Sequence, residues 1–259
     1  GETMTRKSML ALAALPLFLM GAQANAAQLK VMASGAMAHA LEEISQDYAK
    51  KNGHTLIFVA GTTGTLQDKI RGGDKPDVIQ VTTPGIDALE KEKLIVPGTR
   101  IELARALIGV AVKDGAPVPD ISTPEKLKER LLSARAVAWI DPKVGGQAGA
   151  AIVAILKQMN ITDEVMKKSV YGKTGAESVQ KMVAGEADMA ISFTSEILPI
   201  KGAKLVGPVP VAMQTPASFS GAIAVGAPNP DQARALLSFM SSPEARAVMV
   251  KAGLEPVAH

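Results

Sequence analysis

Four short stretches combine glycine with small polar side chains where an apolar run gives way to an amphipathic one. They are Ala33-Ser34-Gly35, Gly61-Thr62-Thr63-Gly64-Thr65, Gly145-Gly146-Gln147-Ala148 and Gly172-Lys173-Thr174-Gly175. Each reads as a strand running through a flexible turn into the first turn of a helix. A helix start leaves backbone N–H groups unpaired and carries partial positive charge, so it suits an anion. Ser34, Thr62, Thr63 and Thr65 add hydroxyl donors. Taken singly, Ser34 is equally an ordinary N-cap and Gly145-Gly146 an ordinary loose turn. Their recurrence favours the ligand reading.

The elements that position these junctions alternate along the chain. Leu29–Ala33 is a strand candidate. Ser34 then caps a helix to Lys51 with Met37, Leu41, Ile44 and Tyr48 on one stripe, stopped by Gly53. His54–Ala60 is a second strand, Thr65–Arg71 a short helix and Asp77–Val81 a third strand. After the apolar run Leu103–Lys113 the pattern restarts. Pro124 opens a helix, Ala136–Ile140 is a strand, Ala148–Met159 a helix, Ser169–Tyr171 a strand, Ala176–Ala184 a helix and Met189–Phe193 a strand. A last strand, Gly221–Val225, precedes helices Asp231–Met240 and Pro243–Lys251. Strand–helix–strand alternation implies parallel pairing and an α/β class. Two similar units fit better than one sheet, with the final strand and helices returning to the first unit. The expected lobes are 27–104 with 215–259, and 105–214, joined by two crossing strands and a hinge. In open α/β units ligands sit at the carboxyl ends of strands, so facing lobes would aim two junctions each at one cleft.

Bulk properties narrow the function. Gly1-Glu2-Thr3 precede Met4 and read as a tag remnant or an upstream start. Arg6 and Lys7, the apolar run Met9–Met20 and small residues to Ala26 have the order of a secretory signal, with cleavage expected near Ala26 and a periplasmic destination. The run is short for a membrane span. Residues 1–26 contain one acidic and two basic side chains, so without them the formal charge of +3 becomes about +2. With one Trp, two Tyr, five Phe and no basic block, the chain lacks a nucleic-acid footprint. It has no cysteine, hence neither disulfides nor thiolate metal sites.

Taken together, the stretches ASGAMAHALEEI, GTTGTLQDKIRGGDKPDV, DPKVGGQAG and GEADMAISFTSEI resemble, in order and spacing, the periplasmic molybdate-binding proteins of ABC importers and related type 2 solute-binding proteins. The resemblance spans essentially the whole mature chain. It implies a two-lobed α/β fold, no enzymatic activity, no cofactor or metal, a monomer, and delivery of a small anion to a membrane permease. It also implies an oxyanion held by hydroxyls and backbone amides with no charged residue in contact. Ser34, with Gly35 beside it, matches the first hydroxyl, and Thr63, next to Thr62, the second. Ala148 or Gln147 matches one amide at a helix start and Gly175 another. Phe193 stands where molybdate binders usually carry a tyrosine, leaving Thr194 or Ser192 as a substitute donor. Relatives with Phe here and a segment like Val206–Pro210 form a branch whose ligands include small organic acids, so both an oxyanion and a small carboxylate remain open.

Two rivals of other classes have weaker support. Ser178–Lys181 spells S-x-x-K and Lys173–Gly175 spells K-T-G, the words of serine β-lactamases, but in reverse order, within nine residues and without S-D-N. No G-x-S-x-G nucleophile elbow or phosphate loop occurs, so a secreted hydrolase with a Ser/His site lacks its motif. His39 with Glu42 and Glu43 has helical metal-ligand spacing, yet a solvated helix face explains it more simply. An effector-sensing domain of the same architecture fits neither the export signal nor the lack of a DNA-binding segment.

Overall fold

A computed structural model describes residues 26–259; the expected export signal lies, but for its last residue, outside them. The chain runs β1 (Gln28–Ser34), α1 (Gly35–Lys51), β2 (Thr55–Gly61), α2 (Thr63–Arg71), β3 (Val78–Thr82), α3 (Thr83–Lys91) and β4 (Ile101–Ala106). It continues through β5 (Ile108–Lys113), α4 (Pro124–Ser133), β6 (Val137–Ile140), α5 (Gln147–Gln158), α6 (Thr162–Met166), β7 (Ser169–Gly172), α7 (Gly175–Val183), β8 (Met189–Phe193), α8 (Thr194–Ile197) and β9 (Ala203–Pro208). It closes with β10 (Ala217–Ile223), α9 (Pro230–Phe239), α10 (Pro243–Lys251) and β11 (Glu255–Pro256).

The strands form two mixed sheets with helices against them. One has the order β11-β4-β10-β3-β1-β2 and the other β7-β6-β8-β5-β9. In the first, β1 is parallel to β2 and β3, while β10 is antiparallel to β3 and β4. In the second, β6 is parallel to β7 and β8, and β5 is antiparallel to β8 and β9. The parallel pairs belong to the strand–helix–strand units, whose crossover helices bury their apolar stripes. Met37, Leu41, Ile44 and Tyr48 of α1 are all buried. Strand β3 is buried along its whole length, as a central strand covered on both faces should be.

The apolar run Leu103–Lys113 is not one strand. It breaks at Leu107 and gives β4 to the first sheet and β5 to the second. The chain crosses back through residues 209–216, and the two crossings are laced by Gln214. Its Oε1 accepts from Ile108 N–H at 2.8 Å and its Nε2 donates to the Ile108 carbonyl at 3.0 Å. Strand β10 starts at Ala217, ahead of the predicted Gly221. Its extra residues are alternating serines whose hydroxyls bond Thr83 Oγ1 at 2.5 and 2.7 Å, a polar ladder without an apolar run to announce it. No helix among the described residues is long and apolar enough to cross a membrane.

Candidate functional site

A cavity of about 400 Å³ lies where the two sheets face each other. The first turns of α1, α2, α5 and α7 reach it, through Ser34, Gly35 and Ala36, Thr62 and Thr63, Gly146, Gln147 and Ala148, and Thr174, Gly175 and Ala176. Of the nine positions singled out in the sequence, eight line it: Ser34, Gly35, Thr62, Thr63, Gln147, Ala148, Gly175 and Phe193. Thr194 does not. Its Oγ1 donates to the Gly253 carbonyl at 3.1 Å, away from the cavity. Ser192 is occupied too, donating to Glu196.

Ser34 departs from its expected role as a cap, because its hydroxyl makes no capping hydrogen bond. Instead the buried Gln80 of β3 holds it. Gln80 Oε1 accepts from Ser34 N–H at 2.9 Å, and Gln80 Nε2 donates to Ser34 Oγ at 3.0 Å. The Ser34 hydroxyl in turn donates to Gln80 Oε1 at 3.2 Å, so the glutamine fixes its position and a ligand anion competes with that oxygen for the proton. Thr63 Oγ1 accepts from Thr82 N–H, at 3.3 Å. Thr62 is the true cap of α2, in a reciprocal capping box with Thr65 that makes the helix begin two residues earlier than predicted. No acidic residue stands in the first turn of α1, α2 or α5, so their positive ends are not neutralised from within.

Two aromatic rings form an apolar wall. Phe193 of β8 meets Phe219 of β10 edge to face, with ring centroids 5.6 Å apart, one ring from each sheet. Ile140, Pro199 and Ile200 extend this surface.

Sequence reasoning missed Glu196. The resemblance implies no charged contact, yet this carboxylate lines the cavity while only 7 % exposed. Its oxygens lie over the first residues of α1 and α7: Oε2 is 2.9 Å from where a Cβ on Gly35 would stand, and a Cβ on Gly175 would meet both oxygens. Burial pushes its pKa up to about 7, although the Ser192 hydroxyl and the Ala176 backbone N–H favour the ionised form. The other titratable lining residues, His39 and Glu42, are on the exposed face of α1. No lysine or arginine lines the cavity among the described residues. Nor do the described residues hold any group of three or more metal-ligating side chains.

The lobes also touch on both sides of the cavity. At one edge Gly64 N–H donates to the Gly145 carbonyl at 3.2 Å. At the other, Ser195 Oγ donates to the Ala36 carbonyl at 2.6 Å.

Two α/β lobes joined by paired crossings, with four helix starts converging between them, define the two-lobed periplasmic binding protein class. Residues 29–255 match the family of bacterial extracellular solute-binding proteins, and the chain belongs to that family. It is 30% identical over 236 residues to an aconitate isomerase of a Pseudomonas species, covering 88% of each chain. It is 27% identical to the molybdate-binding protein ModA of Azotobacter vinelandii, covering 89% of this chain and 91% of that one. The solved structure of an Azotobacter vinelandii periplasmic molybdate-binding protein superposes with a TM-score of 0.74 at 20% identity, covering 87% of this chain and 98% of that one. The protein is thus an extracellular solute-binding protein by family, similar in sequence and fold to molybdate-binding proteins.

Proposed function

We propose that this protein is the exported, monomeric receptor of an ABC importer, working in the periplasm, and that its ligand is a small organic polycarboxylate. Capture takes place between lobes 27–104 with 215–259 and 105–214, which close by hinge bending before the anion passes to the permease. Hydroxyls of Ser34 and Thr63 and the amides at Gly35, Gln147, Ala148 and Gly175 hold the carboxylates. These charge-assisted hydrogen bonds are strong where the closed lobes exclude water.

The observation that carries the carboxylate reading is the Phe193–Phe219 wall in a cavity of about 400 Å³. A water's share of liquid volume is about 30 Å³, so a bare tetrahedral oxyanion leaves most of that space empty and meets carbon surface on one side. A ligand with a carbon skeleton fills that space and rests on the buried ring pair, only 3 % and 1 % exposed, and on Ile140, Pro199 and Ile200, while its carboxylates reach the helix starts. The similarity to an aconitate isomerase, an enzyme named for a tricarboxylate, supports the same class.

Calorimetry with trans-aconitate, citrate, molybdate and sulfate tests this. The tricarboxylates should bind, molybdate more weakly, and Thr63→Ala should weaken tricarboxylate binding by about 1 kcal/mol, the net worth of one hydrogen bond. Molybdate binding more tightly than every carboxylate would return the site to the oxyanion class.

A further inference from the structure

Capture of an anion needs donors, and a carboxylate is not one unless protonated. Glu196 nevertheless reaches the cavity from β8 and α8, buried between the first turns of α1 and α7. Only Oε1 is engaged by a side chain, the Ser192 hydroxyl at 3.3 Å. The neighbouring charges belong to other groups: His39 and Glu42 stand on exposed positions of α1, and Glu177, in the first turn of α7, pairs with Lys181 at 3.6 Å.

We propose that Glu196 is the proton acceptor and donor of an allylic proton shift in an unsaturated polycarboxylate, so that the protein isomerises such a ligand as well as capturing it. This goes beyond capture but rests on the carboxylate reading above. The reacting ligand has a methylene group between a carboxylate and a carbon–carbon double bond. One methylene C–H bond breaks and its proton moves to Glu196. The electron pair spreads over the former double bond and the adjoining carboxylates. Glu196 then returns the proton to the far carbon, and the double bond has moved by one position. Atoms and electrons balance without an oxidant, a reductant or a co-reactant.

Each requirement has a counterpart in the cavity. The intermediate places extra negative charge on the ligand while Glu196 becomes neutral, and the helix starts at Gly35 and Gly175, which lie against Glu196, can then direct their positive ends to the ligand's carboxylate beside it. Ile140, Phe193 and Phe219 supply apolar walls that keep water from the transferred proton. A base is most effective when its pKa lies near the working pH, and burial places Glu196 at about 7.

The test incubates the full chain with trans-aconitate in D2O and follows the proton NMR spectrum, with binding measured by calorimetry on the same samples. Deuterium should enter the exchangeable carbon and cis-aconitate should accumulate. Glu196→Gln should slow both by about a hundredfold or more, the usual contribution of a positioned base, while still binding trans-aconitate. Fumarate, which lacks a methylene group, should not exchange. Binding without exchange in the wild type, or an unchanged rate in Glu196→Gln, overturns this inference alone. Failure to bind any carboxylate takes down the capture reading and this inference together.

Discussion

Glu196 sits where two helix starts concentrate positive potential, and burial still outweighs them. The consequence for stability has a definite sign. Below the ordinary glutamate value of 4.5 the group is neutral folded and unfolded alike. Between there and about 7 the unfolded chain ionises while the folded one resists, so stability falls as pH rises and stays lower beyond the folded value. The full effect is roughly 3 kcal/mol. Urea unfolding from pH 5 to pH 8 should therefore show a loss in the wild type that Glu196→Gln largely removes. Parallel profiles for the two proteins would mean that Glu196 ionises freely. Ser34 and Thr63 were legible because small hydroxyls beside glycine at a helix start have few other uses. Glu196 was not, because a carboxylate contradicts the donor logic that finds an anion site. Gln80 was hidden inside the apolar run of β3, where nothing local marks it as the partner of Ser34.

Among the elements, the helix starts were the easiest to read, since turn chemistry and capping are local properties of sequence. The crossings were harder. The break at Leu107 and the early start of β10 are fixed by Gln214 and by the serine ladder to Thr83, partners far apart in the chain. The same holds for the edge contact between Gly64 and Gly145. A Cβ on Gly64 would stand 2.8 Å from the Gly145 carbonyl oxygen, closer than real contacts allow. Gly64 lies within α2, where alanine is the better helix former by up to about 1 kcal/mol. Gly64→Ala should thus leave the melting temperature unchanged or slightly raised but hold the lobes apart. Its radius of gyration in small-angle scattering should exceed that of the wild type, and its carboxylate affinity should fall. Unaltered scattering and affinity would show that this edge closes without the Gly64–Gly145 contact.

At the scale of the molecule, the division of labour between the lobes makes the final prediction. Helices α1 and α2 follow strands of one sheet, α5 and α7 follow strands of the other, and all four starts meet at one cavity. A ligand held by both pairs adds a further link between two units already joined by the crossings, the edge contacts, the Phe193–Phe219 pair and the packing of Glu196 on α1. Closure then protects backbone amides in both lobes at once, although they are far apart in sequence. Hydrogen–deuterium exchange with saturating trans-aconitate should slow residues 35–37, 63–65, 147–149 and 175–177 together, because their N–H groups become ligand donors or are sealed from water. The apolar faces of α9 and α10, already buried against the first lobe, should change little. Protection confined to 35–37 and 63–65 would show that the ligand docks on one lobe without closure. The second lobe's helix starts would then be ordinary caps, and the pairing of junctions that first suggested a cleft would have no part in holding the anion.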